Sequence, residues 1–359
     1  MASQTTGRAA VDAAFEAITY LLDRELAPAY RVRAFVRAAE VVTELDDAEL
    51  DQRVTTGTLT DLEHIGDKTA AVIAEAYRGE TPGYLAELDA TPLDPGEGAA
   101  LRAALKGDCH AHSTWSDGGA PIAGMARAAI GLGHEYLVMT DHSPRLTIAH
   151  GLNRERLLAQ LDEIDGLNAE LAPFRILTGI EVDIFEDGSL DQAEDLLSRL
   201  DVVVASVHSK IRMPEPQMTE RLVMAVASPH VDILGHCTNR KVGGPRAPGR
   251  RPDSGGPRQG RPGSVFNEDI VFAACARFET AVEINCRPER QDPPEEMLAN
   301  ALEWGVKVAI DTDAHAPGQL EWQAYGCTKA ARLGVEPDDV VNTMGVDDLL
   351  AWTADHPTA

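Results

Sequence analysis

The stretch YLVMTDHS at residues 136–143 joins a short apolar run to the polar residues Thr140, Asp141 and His142. A run of this length and composition predicts a buried β-strand over residues 136–140. Six similar runs predict further strands at 105–109, 175–180, 202–207, 231–234, 281–284 and 306–310. Amphipathic segments lie between them, so the pattern indicates a parallel α/β fold. Seven such units without a clear nucleotide-binding fingerprint favour a barrel over an open sheet.

Potential metal ligands stand at the C-terminal ends of these predicted strands. Six of the eleven histidines do so, namely His110, His112, His142, His208, His236 and His315, and they are accompanied by Asp117, Glu181 and Asp313. In a parallel barrel the C-terminal strand ends converge on the face that carries the chemistry. Imidazole and carboxylate together suit Zn, Mn or Fe. We therefore predict a metal cluster there, and the alternative is a set of separate hydrogen-bonded histidines.

The regions outside the predicted barrel have different textures. Residues 1–90 show apolar residues at helical spacing and predict a small all-helical domain, followed by a Pro/Gly-rich linker at 91–104. The barrel domain is predicted over 105–345 and a C-terminal tail over 346–359. A Gly/Pro/Arg loop occupies 243–263, and with Arg240 and Lys241 it holds seven basic residues against the single Asp253. That loop is either an insertion without fixed structure or a local anion contact.

Composition limits the function. The 359 residues carry a formal net charge of −26, which opposes a broad electrostatic grip on nucleic acid but allows a local basic or metal-bearing site. No apolar run is long enough for a membrane span, and no secretory signal is visible. The five cysteines contain no C-x-x-C pair, so we expect no disulfide framework and a cytoplasmic location.

The motifs resemble those of the polymerase and histidinol phosphatase (PHP) domain. They read GDCHAHSTWSDG at 107–118, TDHS at 140–143, GIEVD at 179–183, SVHS at 206–209, GHCTNR at 235–240, EINCRP at 283–288 and TDAH at 312–315. The residues of these motifs are most similar to those of the PHP domain at the C-terminal end of bacterial family X DNA polymerases. The resemblance implies a distorted seven-stranded TIM-like (β/α) barrel. Residues 30–40 and 62–75 are also similar to the helix-hairpin-helix domain of that family.

The sequence departs from that family in three ways. Residues 91–104 stand where the polymerases carry their fingers, palm and thumb, so we expect no polymerase activity. In the hairpin, His64 replaces the first glycine, and residues 1–90 hold 8 basic and 17 acidic residues. Contact with DNA and a role in packing or dimerisation both stay open for this helical domain. Cys237 and Asn239 stand where the family often has Pro and Gly.

The resemblance implies three divalent metal ions, Zn, Mn or Fe. By that resemblance, His110, His112, Glu181 and Asp313 hold the first ion, and Glu181 bridges to the second with His208 and His236. Asp117, His142 and His315 then hold the third. Glu181, Asp313 and His208 are the expected catalytic residues, since metal-activated water needs no protein nucleophile. Lys210, Arg240, Arg287 and Arg290 lie just beyond strand ends and are candidates for binding the substrate phosphate.

We therefore predict that the chain is a metal-dependent phosphoesterase, with 3′–5′ exonuclease-type DNA processing as the first hypothesis. Expected partners are a phosphate-ester substrate and DNA, contacted by the helix-hairpin-helix domain and the basic loop at 240–263, without a membrane. One alternative is a phosphatase acting on a small monoester, as in the histidinol phosphatase branch. Another is a DNA-repair accessory protein whose metals only stabilise the barrel. Asp141 either orients a ligand histidine or caps a helix.

Overall fold

A computed structural model describes residues 6–243 and 260–357 of the chain. The chain divides into two compact units, Met1–Pro92 and Leu93–Ala359. Most of the basic loop predicted at 243–263 lies outside the described residues. Within the described ranges, the search for a helix with the length and apolarity of a membrane span finds none.

The first unit is helical. Its helices are α1 (Arg8–Arg24), α2 (Ala29–Glu44), α3 (Asp47–Thr56), α4 (Asp67–Tyr77) and the short α5 (Gly83–Ala86). One face of α1 carries Val11, Phe15, Ile18 and Leu22, all nearly inaccessible, at the spacing of an amphipathic helix. His64 adopts a φ of 70°, and Gly66 is the N-cap residue of α4. The likeness of this segment to a helix-hairpin-helix domain stays a prediction.

The second unit alternates strands and helices. Its strands are β1 (Gly107–Ala111), β2 (Tyr136–Met139), β3 (Arg175–Asp183), β4 (Val202–Ser206), β5 (Ile233–Leu234), β6 (Ala281–Asn285) and β7 (Val308–Asp311). Its helices are α6 (Ala99–Ala104), α7 (Ile122–Gly131), α8 (Arg154–Leu171), α9 (Glu194–Leu197), α10 (Glu215–Val226), α11 (Glu268–Phe278), α12 (Glu295–Glu303), α13 (Gln323–Arg332) and α14 (Val346–Ala354).

The seven strands form one parallel sheet in sequence order, β1 to β7. Strands β1, β2, β4 and β7 are buried at every position, as expected where helices cover the outside and side chains fill the inside. All C-terminal strand ends therefore meet on one face. The predicted parallel barrel is confirmed.

Two buried aspartates complete the seam between the first and last strands. A bridge joins Ala111 to Ala314, where the His112 amide donates to the Ala314 carbonyl at 2.8 Å. The Asp311 carboxylate accepts from the Cys109 amide at 2.8 Å, and Asp108 accepts from the Thr312 hydroxyl at 2.6 Å. Burial raises the pKa of Asp108 to about 6 and that of Asp311 well above its usual value. The barrel is nearly closed, and side-chain acceptors replace part of the backbone ladder.

Three predicted boundaries differ from the structure. Strand β5 has two residues instead of the four expected at 231–234, and just before it the Asp232 carboxylate, in place of a backbone carbonyl, accepts from the Val203 amide at 2.6 Å. Residues 99–104, assigned to a linker, form α6, which buries Leu101. Residues 346–354, assigned to a tail, form α14, which buries Leu349 among side chains of the barrel interior. Both segments pack because they contain apolar residues at helical spacing.

Candidate metal centre

The predicted ligands come together at the C-terminal end of the barrel. His110 lies in β1 and Glu181 in β3, whereas the other members of the set follow the ends of β1, β2, β4, β5 and β7. His142 and Glu181 also form an isolated backbone bridge, which extends the β2–β3 pairing into the site. The pairing of the strands thus fixes the backbone position of most of these residues independently of their side-chain contacts.

Glu181 lies at the centre of the cluster and is 1% exposed. Its Oε1 atom is 2.9 Å from His236 Nε2 and 3.1 Å from His208 Nε2. Its Oε2 atom is 2.8 Å from His142 Nδ1, and 3.5 and 3.6 Å from the Nε2 atoms of His110 and His112. One buried carboxylate therefore faces five imidazoles, which is the arrangement of a bridging ligand.

Asp117 forms a second focus nearer the solvent. Its Oδ1 atom is 3.4 Å from His142 Nε2 and 3.4 Å from His315 Nε2. His112 belongs to the same group, in which one donor atom from each of the four residues lies within 4.8 Å of the others. The Asp117 loop is tight, because the Gly118 amide donates to the Ser113 carbonyl and a Cβ at Gly118 would lie 2.7 Å from that backbone.

Asp313 connects the histidines to two arginines. Its Oδ1 atom is 3.4 Å from His112 Nε2, and its Oδ2 atom is 3.0 Å from Arg290 Nε. Arg287 Nη1 is 3.6 Å from Asp313 Oδ1 and 3.2 Å from His315 Nδ1. Burial alone raises the pKa of Asp313, but the two guanidinium groups outweigh it and hold that pKa well below its usual value. Asp313 is therefore an anionic donor at the site.

The donor set fits divalent ions because many of its buried atoms lack a hydrogen-bond partner. Buried side-chain atoms without such a partner include His110 Nε2, His112 Nδ1 and Nε2, His142 Nδ1, Glu181 Oε2, His208 Nδ1 and Nε2, and His236 Nδ1. Close pairs among them, such as His142 Nδ1 and Glu181 Oε2, lack the alignment of a hydrogen bond. Unsatisfied buried polar atoms are costly, and proteins generally pair them. Concentrated among imidazoles and carboxylates, they are the atoms that metal coordination would satisfy.

Three overlapping groups could each hold an ion. They are His110 with His112 and Glu181, His142 with Glu181 and His208, and His112 with Asp117, His142 and His315. The grouping resembles the expected one, but four residues are placed differently. His142 belongs to both the second and the third group, and His112 belongs to both the first and the third. Asp313 and His236 border these groups through His112 and Glu181.

The electrostatics divide the histidines into two kinds. Burial lowers the pKa of His110, but Glu283 and Glu181 outweigh it and raise that pKa well above its usual value. His208 behaves similarly, and Glu181 and Asp183 raise its pKa to about 9. Burial and the neighbouring His315 and His142 instead hold the pKa of His112 well below its usual value. At neutral pH, metal binding would therefore displace protons from His110 and His208.

Two carboxylates that the sequence analysis did not select position ligand histidines. Glu283 is completely buried, and its Oε1 atom is 2.6 Å from His110 Nδ1. Its Oε2 atom accepts from the His236 amide at 2.5 Å. Asp183 accepts from the His208 amide at 3.1 Å. Glu283 thereby orients the His110 imidazole and fixes its tautomer, whereas the two amide contacts hold the backbone of His236 and His208. The available signal was an acid inside an apolar strand, as in VEI at residues 282–284.

Asp141 has a role that neither of its two sequence readings anticipated. Its carboxylate accepts from the Ser113 amide at 2.8 Å, the Ser113 hydroxyl at 2.7 Å and the Ser116 amide at 3.1 Å. The Ser116 hydroxyl and the Gln160 amide also donate to it, at 2.5 and 2.6 Å. Asp141 therefore holds the loop that carries Asp117 against α8, and its described bonds involve no ligand histidine.

The four predicted phosphate-binding residues separate into two pairs. Arg287 and Arg290 lie beside Asp313, as described above. Arg240 donates instead to the carbonyl oxygens of Arg290 and Gln291, so it braces a loop. Lys210 is exposed and has a φ of 54°, and the described contacts do not bring its side chain into the cluster.

Comparisons with known proteins agree with the motif set. A family model described as the PHP domain matches residues 108–238. The DNA polymerase/3′-5′ exonuclease PolX of Bacillus subtilis (strain 168) is 40% identical over 248 residues, which cover 69% of this chain and 41% of that protein. A probable phosphatase of Thermoanaerobacter sp. (strain X514) is 30% identical over 252 residues, which cover 66% of this chain and 89% of that protein.

Among solved structures, histidinol phosphate phosphatase (HISK) from Lactococcus lactis subsp. lactis Il1403, complexed with zinc, L-histidinol and phosphate, has a TM-score of 0.45. It is 18% identical, and the match covers 64% of this chain and 94% of that one. The sequence relationships by themselves, with one relative matched over nearly its whole length, show that this chain belongs to the PHP family.

Proposed function

We propose that the chain removes nucleotides from the 3′ end of DNA by hydrolysing phosphodiester bonds. The coarser activity is that of a metal-dependent phosphoester hydrolase. The observation that carries it is the buried Glu181 carboxylate surrounded by five histidines with unpartnered nitrogen atoms. Divalent ions bound to this donor set would supply a hydroxide-like water at neutral pH and neutralise the phosphoryl oxygens.

The residues of the chain have distinct roles in this proposal. Glu181 and Asp313 stay ionised and hold the cation charge, and His208 lies at the rim with 11% of its side chain exposed. The three donor groups correspond to three ions, Zn, Mn or Fe. The Ser113 hydroxyl donates to Asp141, and the Ser143 hydroxyl accepts from the Asp183 amide. Both serines are thus held in loop contacts instead of being activated by a histidine.

The arginines beside Asp313 supply the anion-binding side of the site. Arg290 forms an ion pair with Asp313, so its main role is to hold that carboxylate in place. Arg287 is only partly buried and faces His315, so its guanidinium can bind a phosphoryl oxygen with bidentate geometry. Together they place two guanidinium groups beside the metal centre within a chain of net charge −26.

DNA is favoured as the substrate by the 40% identity to a relative named a polymerase and 3′-5′ exonuclease, of which this chain spans 41%. The relative named a probable phosphatase is less similar but is matched over most of its length, which keeps a monoester substrate as the second candidate. The role of the helical unit in contacting DNA and a cytoplasmic location are further parts of this proposal.

A single-stranded oligonucleotide labelled at its 5′ end tests the proposed direction and substrate. With Mn²⁺, the protein is expected to give a ladder of shortened products, and a 3′-labelled copy is expected to release labelled mononucleotide. His110→Ala should abolish the ladder because His110 Nε2 faces Glu181. His134→Ala is the matched control, since His134 is equally a buried barrel histidine but lies outside the donor groups.

Intact oligonucleotide, with Mn²⁺ binding verified by calorimetry, would refute DNA as the substrate. Release of inorganic phosphate from small phosphate monoesters under the same conditions would then assign the chain to the second candidate.

A further inference from the structure

Asn239 is fixed at the rim of the metal centre. It is 4% exposed, and its amide donates to the His236 carbonyl at 2.7 Å. Its side-chain Nδ2 donates to the Val207 carbonyl at 2.7 Å, directly before His208. The side chain therefore joins the loops that carry two candidate ligands, and its Oδ1 atom has a fixed position.

Two arginines share that one amide oxygen. Arg290 Nη1 donates to Asn239 Oδ1 at 2.6 Å, and Arg261 Nη2 donates to it at 2.7 Å. Arg261 Nη2 also donates to the Asn239 backbone carbonyl at 2.7 Å. Asn239 thus holds the Arg261 guanidinium beside Arg290, which itself contacts Asp313.

The two guanidinium groups differ in charge balance. Arg290 faces Asp313 at 3.0 Å, whereas the contacts of Arg261 within residues 6–243 and 260–357 include no carboxylate. Its Nε atom is buried and has no hydrogen-bond partner there. A partly buried guanidinium with free donors, next to a second cation, is an anion-binding arrangement.

A short backbone pairing adds Lys241 to this surface. The Arg261 amide donates to the Lys241 carbonyl at 2.7 Å, and the Lys241 amide donates to the Arg261 carbonyl at 2.9 Å. Partial burial lowers the pKa of Lys241, and the nearby positive charges of Arg290, Arg287 and Arg261 lower it further. Burial also lowers the pKa of Arg261, and the positive charges of Arg290 and Arg212 lower it further. A bound polyanion would relieve this repulsion.

We propose that Arg261, held by Asn239, and the neighbouring Lys241 bind a second phosphate group of the substrate, adjacent to the one cleaved at the metal centre. A monoester has one phosphate, which would be bound by the metal centre and Arg287. A further cationic site is therefore useful only for a substrate with several phosphates. This inference rests on the proposed function and assigns the residues that bind the neighbouring phosphate of the strand.

The test compares two substrates in wild type and Arg261→Gln. Bis(p-nitrophenyl) phosphate has one phosphodiester, and a single-stranded oligonucleotide has many. The ratio of kcat/KM for the oligonucleotide to that for the small diester is expected to fall about 10-fold or more in the variant, mainly through KM. The salt dependence of oligonucleotide binding should lose about one unit of slope, since one phosphate contact is removed.

Two further variants keep the test interpretable. Lys241→Gln changes an exposed side chain, should fold normally and is expected to lower the same ratio. Arg199→Gln removes an exposed arginine that precedes β4, at the opposite end of the barrel, and should leave the ratio at the wild-type value.

An unchanged ratio in both Arg261→Gln and Lys241→Gln would overturn the inference while leaving the hydrolase intact. Equal losses on both substrates would also overturn it, because the residues would then act on the metal centre itself. A wild-type protein that cleaves neither substrate with Mn²⁺ would instead refute the proposed function.

Discussion

Replacing Glu181 by glutamine is expected to reduce metal-dependent phosphodiester hydrolysis by about a thousand-fold or more, which is ~4 kcal/mol of transition-state stabilisation. The reason is that both of its oxygen atoms face imidazoles, at 2.9 and 3.1 Å on one side and 2.8 Å on the other. Glutamine keeps the size but removes the charge and one acceptor. Initial rates on bis(p-nitrophenyl) phosphate at saturating Mn²⁺ measure the effect.

A matched control for this substitution is Glu194→Gln. Glu194 is exposed at the start of α9, before β4, so its variant should keep the wild-type rate. Circular dichroism would establish that both variants are folded. A Glu181→Gln protein with a rate within tenfold of wild type would contradict the assignment of Glu181 as the central ligand.

Divalent metal is expected to raise the unfolding temperature of the barrel unit by about 5–10 °C. At a free concentration of 100 times the dissociation constant, one bound ion contributes about 2.7 kcal/mol. For a unit of this size, each kcal/mol corresponds to roughly 2–4 °C. The physical source is the set of buried imidazole nitrogens and the Glu181 oxygen atom that lack hydrogen-bond partners in the protein. Calorimetry with EDTA and with Mn²⁺ measures the shift.

The metal-induced shift should grow as pH rises. The pKa of His208 is about 9 and that of His110 is also raised, so in the metal-free protein both hold protons at neutral pH. The ion pairs of these protonated histidines with nearby carboxylates stabilise the metal-free fold at pH values below the histidine pKa of the unfolded chain. This stabilisation is lost as pH rises through the histidine pKa of the folded protein. Metal binding must displace these protons, so it strengthens over the same range. Equal unfolding temperatures with and without Mn²⁺ at pH 8 would contradict a metal centre.

The parallel barrel and the gathering of the strand-end residues could be predicted because both follow from local pattern. Apolar runs such as residues 136–139 identify strands, and parallel strands bring their C-terminal ends together. His142 and Glu181 therefore contact each other although they lie 39 positions apart in the sequence. The position of each residue relative to its strand end was enough.

Contacts made by side chains across the barrel could not be predicted in the same way. Glu283 reaches His110 from β6 to β1, and Asp141 holds the Ser113–Ser116 loop, since both depend on side-chain directions fixed only by packing. Arg240 and Lys210 follow strand ends as Arg287 and Arg290 do. Loop geometry turns Arg240 onto backbone carbonyls, so strand-end position alone does not identify a phosphate ligand.

We propose that this donor cluster binds divalent ions that enable phosphoester hydrolysis. The most direct measurement is the rate of bis(p-nitrophenyl) phosphate hydrolysis by chelated, dialysed wild-type protein as Mn²⁺ is added back, with bound metal determined on the same samples. We expect no turnover without metal and a rate that rises with binding of more than one ion per chain. Bound metal without turnover, or turnover in the fully chelated protein, would contradict it.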